Sequence, residues 1–241
     1  MLADLRSRLD CHFVIVNGEN AAGGLGITKP TAHDLFAAGA DVITLGNHTF
    51  AKRAVAAYLA EEPRVLRPAN YPPGAPGSGW GIYEATSGEI IGVVSLMGRT
   101  FMNPIDCPFR CADAVLDEIG GRAKVIIVDM HAEATSEKIA MGWHLDGRVS
   151  AVIGTHTHVQ TSDERVLPGG TAYITDIGMT GVADSVLGLP PAAVINRFLT
   201  QVPGKFELAE GPVCLHAALI EVDADTGRAT SIERVEEAEY P

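Results

Sequence analysis

The sequence predicts an α/β protein, a layered sandwich of mixed β-sheets flanked by helices. Two observations carry this reading. Short β-branched runs recur along the chain, each ending in small or polar residues and separated by stretches of helical character. Near the C-terminus the pattern changes to alternation around an Asp-Thr-Gly turn, the mark of an antiparallel hairpin, so the sheets are expected to be mixed. The chain has 241 residues, above the usual ~100–200 per domain, yet α/β domains reach this size and one domain over residues 1–241 is expected.

In chain order, "FVIVN" at 13–17 and "DVITLGN" at 41–47 read as buried strands. Between them "KPTAHDLFAAGA" has proline early and glycine late, which fits a helix of about two turns. Residues 51–61 also look helical, and "RPANYPPGAPGSGWG" at 67–81 is a turn-rich connection. Strands follow at 90–98, 123–131, 150–158 and 171–178, with helices at 111–119 and 134–145 between them. The hairpin spans "VCLHAALIEVDADTGRATSIERV".

A formal charge of −12, spread along the chain, argues against a broad basic face for duplex nucleic acid. A small anionic substrate would need a local positive centre. No apolar run approaches the ~20 residues of a membrane span and no signal pattern opens the chain, so a soluble cytoplasmic protein is expected. Cys11, Cys107, Cys111 and Cys214 are too few and irregular for a disulfide framework. Cys107 and Cys111 have ligand spacing but no second cysteine pair, so reduced thiols are expected.

The chemistry collects just beyond the strands. "NGEN" supplies Glu19 and Asn20, "GNH" supplies Asn47 and His48, "DMHAE" supplies His131 and Glu133, and "GTHTH" supplies His156 and His158. In an α/β sheet such positions converge on the crevice where ligands bind. Imidazoles, a carboxylate and amide oxygens form a mixed N/O set suited to iron, manganese or zinc, and this many candidates fit two ions better than one. His12, His33, His144 and His216 stand apart and read as hydrogen-bonded structural residues. Glu133 and Glu137 read as solvated helix charges, while Asp129 and Asp176 either orient ligands or satisfy backbone donors. The glycines of "NGENAAGGLG" match no nucleotide-binding loop and suit close backbone approach around Glu19. Ser136 has no evident base, which weakens a serine-hydrolase reading.

"NGENAAGG", "LGNHTF", "RPANYPPG", "HAEATSEK", "DGRVSAVIGTHTHVQT" and "TDIGMTG", in this order over most of the chain, resemble the YmdB-like metallophosphoesterases. These are bacterial phosphodiesterases associated with 2′,3′-cyclic nucleotides. The resemblance implies that Glu19 bridges two metals, with Asn20 and His158 at the first and Asn47, His131 and His156 at the second. It implies His48 as proton donor and favours iron, with manganese also suited, as divalent or mixed-valence ions. One departure concerns the start. Family members usually open with a strand ending in Gly-Asp, whose aspartate binds the first metal, whereas this sequence opens near the following helix. Neither Asp4 nor Asp10 follows an apolar strand, so a weaker first site is expected.

The expected activity is dinuclear metal-dependent hydrolysis of a small cyclic nucleotide such as 2′,3′-cyclic AMP. The alternatives are a nucleotide phosphomonoesterase and a catalytically weak phosphate-binding regulator. The partner is a small phosphodiester or nucleotide, with no duplex nucleic acid and no membrane, and a homo-oligomer is compatible with the sequence. The sequence identifies no base-recognition residues, and the loops around 99–110 and 178–188 are candidates by position alone.

Overall fold

The computed structural model describes residues 1–204 and 207–239. Helix α1 (Leu2–Arg8) leads into a parallel three-stranded sheet, β1 (Ile15–Asn17), β2 (Val42–Thr44) and β3 (Val65–Leu66), in the order β1-β2-β3. Helices α2 (Lys29–Ala37) and α3 (Val55–Glu61) connect these strands. Thr28 caps α2 by accepting from the Thr31 backbone, with proline in the first turn, as the sequence predicts.

The central sheet has six strands in the order β4-β5-β6-β7-β9-β8. They are β4 (Trp80–Glu84), β5 (Ile90–Met97), β6 (Val125–His131), β7 (Ala151–Thr155), β8 (Arg165–Val166) and β9 (Ala172–Ile174). β5, β6, β7 and β9 run parallel, and the edge strands β4 and β8 pair antiparallel. Helices α4 (Pro108–Ile119) and α5 (Thr135–Leu145) make the crossovers. After β10 (Thr180–Val182) and α6 (Pro191–Thr200), β11 (Val213–Asp223) and β12 (Arg228–Glu239) form the predicted hairpin, and the third sheet runs β10-β11-β12.

Strand alternation explains the layers. On β6, Ile126, Val128 and Met130 join Ala112, Val115 and Ile119 of α4 and Met141 and Leu145 of α5 in one core. Their neighbours on the opposite face, Val125 and Ile127, meet Val42 and Leu66 of the first sheet, while Ile153 and Ile174 meet Ala229 and Ile232 of the hairpin. The architecture is therefore the expected α/β sandwich of mixed sheets, with helices on one face and smaller sheets on the other. The same alternation puts Asp129 and His131 on the side of Val125 and Ile127, against the first sheet.

The sequence reading omits β3, β4, β8, β10 and α6. β3, β8 and β10 are short and lack the apolar runs that mark β1, β2 and β9, and β4 begins inside a turn-rich stretch. β4 begins at Trp80, inside the segment expected to be a connection, and pairs with β5 over five residues.

Candidate metal centre

The chain brings Glu19, Asn47, His131 and His156 together from the ends of β1, β2, β6 and β7. Glu19 Oε1 lies 3.1 Å from His131 Nε2. Asn47 Oδ1 lies 2.9 Å from the same nitrogen, and His156 Nδ1 lies 3.1 Å from it. Glu19 and His131 are buried, with side-chain exposures of 2% and 1%. The backbone is shaped to permit this approach: a Cβ on Gly46 would collide with both His131 Nε2 and Glu19 Oε2. His156 and His158 both adopt positive φ, 95° and 67°, which side-chain-bearing residues hold only when the surroundings enforce it.

A hydrogen-bond relay decides which way the His131 ring faces. Asp129 is a buried acceptor for Thr44 Oγ1 at 2.5 Å, Asn17 Nδ2 at 3.1 Å and Thr155 Oγ1 at 2.7 Å. The Thr155 hydroxyl, having given its proton to Asp129, accepts from His131 Nδ1 at 2.9 Å. Nε2 is then left with its lone pair toward the Glu19 carboxylate, the Asn47 amide oxygen and the His156 ring. A proton on Nε2 could satisfy one of those three contacts at most. Four donors converging with no shared hydrogen are what a cation satisfies, so the residues present fit a metal ion.

Burial alone pushes the Glu19 carboxyl up, but its contacts with His131 and with the His48 backbone N–H outweigh it and hold Glu19 below the ordinary glutamate range. Burial lowers the proton affinity of His156, with the neighbouring His131 adding to it, and burial likewise lowers that of His158. Burial pushes the Asp129 carboxyl up, against the pull of His131 and its three donors.

The remaining predicted residues lie around this cluster. His48 donates its backbone N–H to Glu19 Oε2 at 3.1 Å. Asn47 Nδ2 lies 3.2 Å from His48 Nε2, so one amide turns its oxygen to His131 and its nitrogen to His48. Asn20 Nδ2 is 3.5 Å from His158 Nε2. The tight group of carboxylate and imidazole donors contains Glu19, His131 and His156, and neither His158, Asp4 nor Asp10 belongs to it. Glu133 precedes α5 and reaches His156 Nε2 at 3.0 Å, which corrects its reading as a helix charge. Glu137 accepts from the backbone of Arg99 and Thr100.

Three supporting features escaped the sequence reading. Lys138 forms a fully buried ion pair with Asp176 at 2.8 Å, and Asp176 also accepts from both the backbone and the hydroxyl of Thr157. The histidine loop is thus clamped between its two imidazoles. Thr155 and Asn17 complete the Asp129 relay. Phe50 is part-exposed just after the Asn47-His48 pair and meets Tyr71 edge-on at 5.4 Å. The mid-helix position of Lys138 gave no sign of burial. "NHTF", by contrast, already placed an aromatic ring beside the candidate site.

The profile of the YmdB-like protein family matches residues 1–235. The chain belongs to the YmdB-like protein family. It is 49% identical over 231 residues to a Bacillus subtilis (strain 168) protein named 2′,3′-cyclic-nucleotide 2′-phosphodiesterase, covering 96% of this chain and 87% of that relative. A crystal structure of a hypothetical protein from Thermus thermophilus superposes with a TM-score of 0.91 at 45% identity, covering 99% of this chain and 92% of that one. A crystal structure of a novel phosphatase from Mycoplasma pneumoniae gives a TM-score of 0.90 at 33% identity, covering 98% and 86%. Similarity along nearly the whole chain extends the YmdB-like assignment to all three layers of the fold. Among the described residues no helix is long and apolar enough to cross a membrane.

Proposed function

We propose that this chain is a metal-dependent phosphodiesterase that opens small cyclic nucleotides, 2′,3′-cyclic AMP among them. The observation that carries the reading is the convergence of Glu19, Asn47 and His156 on the lone pair of His131 Nε2. The Bacillus subtilis relative, whose name specifies that reaction class, supports the choice of substrate. Asn47, His131 and His156 would hold one ion, Asn20 and His158 the other, and Glu19 would lie between them. Iron suits this donor set, as does manganese. Ions held there would supply neutralisation of phosphate charge and activation of water near neutral pH.

The chain's own residues do the rest. His48 stands at the edge of the cluster, with its backbone tied to Glu19 and its ring against Asn47, where it can protonate the departing ribose oxygen. The Asp129–Thr155 relay holds His131 in one tautomer, and the Lys138–Asp176 clamp holds the loop that carries His156 and His158. The exposed face of Phe50 offers an apolar surface for a nucleobase. Because the net charge is −12, attraction of a phosphate has to be local to this centre.

The test is hydrolysis of 2′,3′-cyclic AMP against the corresponding monoesters by protein reconstituted with iron or manganese. The cyclic diester should be the better substrate, and His48→Ala should lower kcat by about 10²–10⁴-fold. Faster turnover of monoesters would replace this reading with a phosphomonoesterase. Nucleotide binding without turnover would make the chain a regulator.

A further inference from the structure

A second cluster of donors lies in the C-terminal hairpin. Cys214 and His216 are two residues apart on β11, so their side chains share a face, and Glu236 on β12 is the direct cross-strand partner of His216. Cys214 Sγ lies 3.4 Å from His216 Nε2 and 3.9 Å from Glu236 Oε1, and the three ligating atoms fall within 4.8 Å of one another. Bond lengths of about 2.0–2.3 Å at tetrahedral angles would place N, S and O ligands roughly 3.3–3.8 Å apart. Two edges of such a polyhedron are already close to that spacing. We propose that Cys214, His216 and Glu236 form a second cation site, of the zinc class, separate from the phosphodiesterase centre.

Several details of the site agree. Cys214 is buried and has no disulfide partner, His216 is half-buried, and Glu236 is exposed, so an ion can enter from the solvent side. His216 Nδ1 is buried with no hydrogen-bond partner among the described residues, and the ring instead turns Nε2 to the thiol. One thiolate, one imidazole and one carboxylate, with a fourth position open to water, suit a borderline-soft divalent ion. The ring also lies against Gly178, which follows the Asp176 of the loop clamp, and whose backbone N–H bonds to Asp176 Oδ1 at 2.8 Å. Occupancy would therefore stiffen the segment behind the histidine loop.

Cobalt titration of the full-length, metal-stripped protein tests the site independently of activity. Thiolate ligation produces a near-ultraviolet charge-transfer band, and the Glu19–His131–His156 group contains no thiol. The expected result is a band whose saturated intensity corresponds to a single thiolate–cobalt site and which is displaced by zinc, disappears in Cys214→Ser and persists in Cys107→Ser. Glu236→Gln should weaken apparent zinc affinity about tenfold or more. Circular dichroism establishes that each variant is folded; should Cys214→Ser fail to fold, His216→Gln reads the same loss. No band in the folded wild-type protein, or a band that survives loss of Cys214 or His216, would overturn the proposal.

Discussion

At the residue scale, the account turns on one hydroxyl. Thr155 passes the demand of buried Asp129 to His131 and so decides that Nε2, rather than Nδ1, offers the lone pair. Thr155→Val keeps the shape and removes the relay. Its expected effect is a loss of about 10–100-fold in metal affinity with little change in fold, read by metal titration alongside circular dichroism. The ligand candidates themselves were legible in the sequence because each follows a β-branched run, where a sheet presents its chemistry. Thr155, Asn17 and Thr44 were not, because small polar residues at strand ends satisfy backbone groups far more often than they orient ligands. Only the alternation of β6 shows that Asp129 and His131 share a face against the first sheet.

At the element scale, the loop after β7 is held in its positive-φ conformation from behind by the Lys138–Asp176 pair. Lys138→Met leaves Asp176 buried and unpaired, and the expected cost is about 3–5 kcal/mol in denaturant unfolding. Replacing both, Lys138→Met with Asp176→Leu, should recover part of that stability but not metal affinity, because Thr157 loses its anchor either way. Recovery of both would show that the clamp does not position the histidines. The elements that the sequence did reveal, the strands around β1, β2, β5, β6, β7 and β9 and the hairpin, are those with long apolar runs or a turn signature. α6 was missed although Pro190 and Pro191 open it, and in the structure it leaves Ile195, Phe198 and Leu199 exposed.

At the scale of the whole molecule, the centre joins two sheets. Glu19 and Asn47 follow strands of the three-stranded sheet, while His131 and His156 belong to or follow strands of the six-stranded one. An ion held by all four would link the layers and stabilise the folded chain by mass action. Chelation should therefore lower Tm in wild-type protein. In His131→Ala the added ion should produce a much smaller shift than in wild type. An equal shift in both proteins would place the stabilising ion elsewhere, the hairpin cluster included. The most direct test of the central claim is metal content and 2′,3′-cyclic nucleotide turnover measured on one iron- or manganese-reconstituted sample, wild type beside His131→Ala. The account predicts metal bound at this centre with turnover, and in the variant loss of turnover together with the ion that His131 holds; turnover that survives the loss of His131 would contradict it.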